Sequence, residues 1–323
     1  MKVHIVCYED VNAWILGKFA RKLCENLNAL SVPTDISKVP DPSADINHHI
    51  IYFDYDGKKT TVETVMVTHI DTPWKLKLLQ KQLRVAKMGI CASAETVNNL
   101  IQANIPKEKL CFINPAHDEV MKPRKIVVGI TSKVQPSGCK REKMLVDIAK
   151  RISPGDFKFK IMGAGWEPII DHLGRLGFEV EYYNNFNYGV YTQLVPSLDY
   201  YLYLGQDEGS MGFIDALAAG VPTIVTPQGF HKDAENGITY PFNTIPELEK
   251  VFKSLLEERN ARIHAVSTWT WRHYAIKHIK VWQGLLGINV DIEKALQSEK
   301  NQHSTPLRHT FHISDSLNRI FKR

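Results

Sequence analysis

The chain is poor in the features that mark specialised classes of protein. Its 323 residues include five cysteines, Cys7, Cys24, Cys91, Cys111 and Cys139, an odd number with no C-x-x-C pair among them. That pattern argues against a disulfide framework or a zinc site and for a reducing compartment. No stretch approaches the ~20 apolar residues of a membrane span. The opening MKVHIVCY enters a strand pattern at once, so no signal peptide is read there. A cytoplasmic protein, at most peripheral on the inner face of a membrane, is expected. Lys and Arg number 40 against 35 Asp and Glu, a net charge of +5. There is no concentrated basic stripe of the kind a nucleic-acid partner requires. Internal repeats and low-complexity segments are lacking too. No G-x-x-x-x-G-K-[ST] loop occurs, and no G-x-G-x-x-G follows the opening strand, which disfavours a dinucleotide-binding dehydrogenase.

What is present is ordinary globular chemistry, 44% hydrophobic and 23% charged residues, in a chain long enough for two domains of about 150 residues each. Strand and helix signals alternate. VHIVCY, HHIIYFDY, ETVMVTHI, MGICAS and KLCFIN read as strands. Helices are expected over AWILGKFARKLCENL, from Trp74 to about Lys87, and over AETVNNLIQA behind a Ser93 cap. A polar linker, PAHDEVMKPRK, follows at 115–125, and the series restarts with KIVVGIT, FKFKIMG, FEVEYY and DYYLYLG. Alternation of this kind specifies an α/β fold of parallel sheets with helices on their faces. The expected domains are 1–120, 121–267, and a carboxy-terminal helix plus tail over 268–323 that crosses back to the first domain. That helix, WTWRHYAIKHIKVWQGLL, carries three tryptophans.

One stretch is unusual. QDEGSMGFIDALAAGVPTIV, residues 206–225, reads as an acidic pair, a glycine turn, a short apolar helix and a strand. The helix is apolar all round, the mark of a buried helix, yet Asp215 lies within it. An unpaired buried carboxylate is costly. In an open parallel sheet ligands bind outside the carboxyl ends of the strands. Gly209 and Gly212 permit close backbone approach there, and a helix amino terminus offers free N–H groups to an anion.

DEGSMGFIDALAAGVPTIVTPQG resembles the donor-binding segment of retaining, family-4 type glycosyltransferases, whose usual form is E-x7-E followed by A-[ML]-A-x-G-x-P; Asp207 and Asp215 stand in the two glutamate positions. The resemblance implies a GT-B fold of two Rossmann-like domains facing an interdomain cleft. It implies transfer of a hexose, with retention, from a nucleoside diphosphate sugar to a hydroxyl of a glycan or lipid-linked acceptor, as in polysaccharide biosynthesis. Asp215 would bind the donor ribose, and Asp207 or its neighbour Glu208 would face the sugar. The backbone of Gly209, Ser210, Met211 and Gly212 would hold the sugar and distal phosphate. Lys133 and Lys140 correspond to the family's diphosphate-binding cations, with Arg141 in place of a usual glycine. No metal is expected. Gly163 and Gly165 match a G-x-G beside the nucleotide, and Tyr183 is a candidate wall of the base pocket.

His69, ending VTHI, matches a histidine that contacts the donor sugar and phosphate, and Asp71 is placed to orient it or to meet the acceptor. His231 is a candidate contact of donor or acceptor, or else a surface loop histidine. Asp10 and Asn12 replace a glycine pair in the first loop, on the acceptor side. The 74–88 helix carries Lys75, Lys77, Lys81, Arg84 and Lys87 and no acid, a candidate contact for anionic lipid, although a solvated face of a packed helix is the simpler reading. The alternatives are a nucleotide-sugar epimerase of the same fold and a non-catalytic sugar-nucleotide-binding partner subunit.

Overall fold

The computed structural model describes residues 1–288. The chain divides into two units, Met1–Ala116 together with the chain from Trp271, and His117–Thr270. Both are α/β, each built on a six-stranded parallel sheet. The polar tail expected beyond 288 lies outside the described residues.

In the first unit β1 (Val3–Val6) leads to α1 (Trp14–Ala29), β2 (Thr34–Ser37), β3 (Ile46–His49) and β4 (Val62–Val67), followed by α2 (Pro73–Gln82), β5 (Met88–Cys91), α3 (Ala94–Gln102) and β6 (Leu110–Phe112). The strand order is β2-β1-β3-β4-β5-β6. It therefore reverses direction between β1 and β3, where Val6 pairs with His49. Ser93 caps α3 as its sequence requires, its hydroxyl accepting from the Thr96 N–H at 3.1 Å.

Three elements differ from expectation. β2 is polar and alternates half-buried with exposed, so it carries no apolar signal. β3 is Ile-Asn-His-His and wholly buried, while the apolar run expected as its continuation turns at Tyr52–Asp54. Helix α2 closes at Gln82 rather than near Lys87. There the buried Gln82 amide donates to the carbonyls of Tyr52 and Tyr55, which fixes the end of the helix on the turn after β3.

The second unit runs β7 (Ile126–Thr131), α4 (Lys143–Ala149), β8 (Phe157–Met162), α5 (Glu167–Arg175), β9 (Glu179–Tyr183), α6 (Tyr188–Leu194), β10 (Tyr200–Tyr203), α7 (Met211–Ala218), β11 (Thr223–Val225), the two-residue β12 (Tyr240–Pro241) and α8 (Ile245–Ala265). Its sheet order is β12-β11-β10-β7-β8-β9. Numbered from β7, that is the 3-2-1-4-5-6 order of dinucleotide-binding sheets, with its reversal between β7 and β10.

Helix α9 (Trp271–Leu286) returns to the first unit. Trp271, Tyr274, Ala275, Ile279 and Trp282 join the core of β1, β3 and α1. Trp282 is fully buried. A tryptophan that hides roughly 200 Å² stabilises by on the order of 5 kcal/mol at about 25 cal/mol/Å², before the entropy of ordering it.

Candidate functional site

The loops after β7, β8 and β9 and the amino end of α7 surround a cavity of about 530 Å³ in the second unit. It lies at the carboxyl ends of the strands, beside the reversal of strand order between β7 and β10. Its polar lining includes Ser132, Lys133, Asn184, Asn185, Tyr191 and Asp215.

The glycines let the walls close. A side chain at Gly212 would collide with the Thr131 and Tyr201 hydroxyls, so only glycine allows α7 to press against the ends of β7 and β10. Gly163 adopts φ +143°, and a Cβ there would overlap the Ser132 carbonyl. Its N–H donates to the Tyr183 carbonyl at 2.8 Å. At the start of α7 the Phe213 N–H donates to the Ser210 carbonyl at 3.0 Å, while the Met211 and Gly212 N–H groups precede any carbonyl of the helix that could accept from them. They open beside Ser210, Met211 and Gly212, which line the cavity. Ser210 is itself fixed by the Tyr201 hydroxyl at 2.7 Å. Lys133 is exposed and lines the same space.

Helix α7 is not buried all round. Met211 and Ile214 are exposed, and so is Asp215; Gly212, Phe213 and Ala216 face the core. Asp215 therefore carries no burial penalty. Its carboxylate accepts from the hydroxyl of Tyr191 on α6. Partial burial and that carboxylate push the tyrosine far above the usual phenol range.

The other residues expected to meet the donor take other places. Lys140 does not line the cavity. Its ammonium donates to Asp207 Oδ2 at 2.6 Å and to the Tyr203 hydroxyl at 2.7 Å. Asp207 also accepts from the Gly209 N–H at 3.0 Å and from Tyr203. Partial burial raises its pKa, but these donors outweigh that and hold it below the usual carboxylate range. Asp207 is thus occupied within its own unit, while the side chain of Glu208 is exposed. Arg141, which stands where the resemblance leads one to expect glycine, does adopt a positive φ of 47°. Its guanidinium reaches down to the Leu204 carbonyl and Thr226 hydroxyl instead of toward the cavity.

Tyr183 gives its carbonyl to Gly163, and its hydroxyl donates to Glu181 at 2.6 Å; its ring is not part of the lining. The following residues, Asn184, Asn185 and Phe186, take that position. Gly165, at φ +88°, packs on Val134 and lies outside the lining.

His231 is neither a surface residue nor a free ligand contact. It is fully buried. Its Nε2 accepts from the Ser210 N–H at 2.9 Å, and its Nδ1 faces the Thr226 carbonyl at 3.3 Å. Burial pushes its pKa down. It holds the loop that precedes α7.

His69, Asp71, Asp10 and Asn12 belong to the first unit, after β4 and β1. His69 Nε2 lies 3.6 Å from Asp71, which is also paired with Lys75 at 2.7 Å. The Asn12 N–H donates to Asp10 at 2.9 Å.

Sequence reasoning missed Tyr191, Tyr201, Tyr203 and Gln228, which accepts from the Asp207 N–H at 2.9 Å. The alternation in DYYLY was the available signal, because Tyr201 and Tyr203 share one face of β10.

No family model and no curated protein matches the chain. Solved structures similar to it include Anabaena HepE in complex with UDP-glucose, at 14% identity and TM-score 0.36, covering 92% of this chain and 100% of that one. The lipopolysaccharide outer core galactosyltransferase WaaB in its apo form is similar at 13% identity and TM-score 0.34, covering 85% and 97%. A glycosyltransferase from Rickettsia africae is similar at 12% and 0.36, covering 88% and 98%. At such identities and scores these likenesses say nothing of what this chain binds.

Proposed function

We propose that the second unit binds a nucleoside diphosphate sugar and that the chain is a GT-B type glycosyltransferase, which moves the sugar with retention to a hydroxyl of a glycan or lipid-linked acceptor. The observation that carries this reading is the cavity at the strand-order reversal, which combines the amino terminus of α7, one lysine and one exposed carboxylate. Amides and Lys133 suit a diphosphate, whose charge rises as it leaves. Asp215, steadied by Tyr191, suits the vicinal hydroxyls of a ribose, and the Asn184–Phe186 stretch suits a base. The lining holds only one carboxylate, Asp215, already engaged with Tyr191. We accordingly assign charge neutralisation to Lys133 and the α7 amides rather than to a metal ion. The chain's contribution is placement of the donor and stabilisation of its leaving group.

Thermal denaturation with UDP-, GDP-, ADP- and dTDP-glucose tests this. A donor at 100 times its Kd stabilises by about 2.7 kcal/mol, a rise of several degrees. Asp215→Ala, losing hydrogen bonds to a charged acceptor worth about 1.5–3 kcal/mol, should weaken binding roughly tenfold to a hundredfold. The assignment fails if none of the four raises the melting temperature, or if Asp215→Ala leaves the rise intact.

A further inference from the structure

The second unit has another cavity, of about 340 Å³, at the opposite end of its sheet. Ile126, the first residue of β7, and Tyr200, the first of β10, open onto it. It therefore lies at the amino ends of the strands whose carboxyl ends carry the cavity described above. The six residues of β7 span about 20 Å, which keeps the two cavities apart. Helix α8 closes the other side with Leu255, Arg259, Arg262 and Ile263, whose spacing of three or four residues puts them on one face. The floor is apolar, because Ile126 and Leu255 are buried. The rim is cationic, with Arg124, Lys125, Arg259 and Arg262 against one acid, Asp199. That acid is already taken. Its Oδ2 accepts from Arg124 at 2.6 Å and from the Val127 N–H at 2.9 Å, and its Oδ1 meets the other arm of the same guanidinium. Arg259 donates to Asp156 through Nη2, yet its buried Nε has no acceptor. A buried donor left unpaired carries a cost that a ligand oxygen can remove. Lys125 stands 3.7 Å from Glu179, which Lys158 engages at 2.6 Å. Arg262 is exposed and makes no hydrogen bond or ion pair among the described residues. Glu258, one turn before it, accepts instead from the Tyr240 hydroxyl at 3.1 Å.

We propose that this cavity is a second ligand site, for an oxyanion carried on a small apolar or aromatic group. The oxyanion sits between the guanidinium groups of Arg259 and Arg262, with Lys125 lining the same space. A guanidinium presents its N–H donors as a planar fork that matches a carboxylate or a phosphate. Two such forks, three residues apart on one helix face, define where the charge goes. A bare inorganic ion uses only this rim. The buried floor gives the apolar part of a ligand a surface to cover. A volume of about 340 Å³ lies at the small end of ligand cavities, which limits that part to roughly one ring. The cavity at the carboxyl ends sets one lysine beside the exposed Asp215 and suits a ligand with hydroxyl groups. Here the only lining carboxylate is closed by Arg124, so nothing on the wall opposes an anion. The site is independent of what the other cavity binds.

Phosphorus NMR titrations of the full chain test this, with phenyl phosphate and inorganic phosphate as the probes in a buffer of low ionic strength. Phenyl phosphate should bind about tenfold more tightly than inorganic phosphate, since only its ring reaches the apolar floor. Arg262→Ala changes an exposed side chain and leaves the core intact. It should weaken phenyl phosphate binding about tenfold or more, the scale of a charged hydrogen-bond partner. Lys133→Ala is the contrasting substitution, in the cavity at the other end of the sheet. If Arg262→Ala binds phenyl phosphate as the native chain does, or if Lys133→Ala abolishes binding instead, the anion is held elsewhere and the proposal is overturned. It is equally overturned if phenyl phosphate shows no saturable binding at millimolar concentration. Inorganic phosphate binding as tightly as phenyl phosphate would also sink it, because the floor then plays no part.

Discussion

The two units share an architecture and differ at the same topological point. Each has a six-stranded parallel sheet whose strand order reverses once, and open sheets bind ligands at that reversal. In the second unit glycines leave room there, and the result is a cavity with amides, a lysine and Asp215 at its wall. In the first unit the place is filled, because Tyr8, His49 and Glu63 occupy it and hydrogen-bond to one another. Glycine at a reversal leaves space open; a buried imidazole and carboxylate fill it. The same backbone plan thus gives an open reversal in one unit and a filled one in the other, decided by side-chain volume.

The contrast can be broken most severely through glycine. Gly212→Ala forces α7 off Thr131 and Tyr201 and should cost about 1–3 kcal/mol, with loss of donor binding. In the first unit, a Cβ on Gly17 would stand 2.6 Å from the Asp10 carbonyl oxygen. Gly17→Ala should cost a similar amount in chemical denaturation, yet leave donor titrations as they were. Equal effects of both substitutions on donor binding would show that the cavity is not local to the second unit.

Acid should act on the first unit through two buried histidines, against His231 alone among those named in the second. His278 on α9 is fully buried, with Nδ1 2.9 Å from the Tyr274 carbonyl, and burial lowers its pKa to about 4. Burial and the charges of His278 and His49 lower His48 in the same direction. The unfolded chain takes up these protons near pH 6.5, whereas the folded chain refuses them until far lower pH. Their contribution is therefore complete above 6.5 and drains as pH falls toward 4. For His278 that amounts to about 2 kcal/mol by pH 5, at 1.36 kcal/mol per pH unit. Melting curves at pH 7.5 and pH 5 should separate clearly for the native chain and less for His278→Leu; parallel behaviour of the two would contradict this.

The smallest effects come from the caps. Ser93→Ala, at α3, and Asn187→Ala, whose side chain accepts from the Val190 N–H at 3.0 Å at the start of α6, should each cost about 1 kcal/mol. Only the second should weaken donor binding, because α6 carries Tyr191.

Local strings were legible in the sequence, and contacts between distant residues were not. Both sheets could be read because buried parallel strands such as IVVGIT are continuous apolar runs. β3 was misplaced because its buried residues include Asn47, His48 and His49, polar side chains that each find a hydrogen-bond partner elsewhere in the chain, although His48 does so through Nδ1 alone. The glycine loop and Asp215 could be read because they fall within one short stretch. Tyr191 could not, since it meets Asp215 across 24 residues, and Tyr8 meets His49 across 41. The lysine at 140 had the right position for a phosphate ligand, but no spacing rule reveals that Tyr203 and Asp207 engage it first.

The return of α9 to the first unit has a consequence for synthesis. Trp271, Tyr274, Ala275, Ile279 and Trp282 of α9 complete a hydrophobic core whose other buried members lie in the opening half of the chain. The second unit, His117–Thr270, is encoded before α9, so it can close on the ribosome as soon as it has emerged. The first unit must wait, its β1 and α1 faces unsealed, until α9 is translated. For that interval the nascent chain is a finished domain tethered to an unfinished one, with the exposed apolar surface that chaperones recognise.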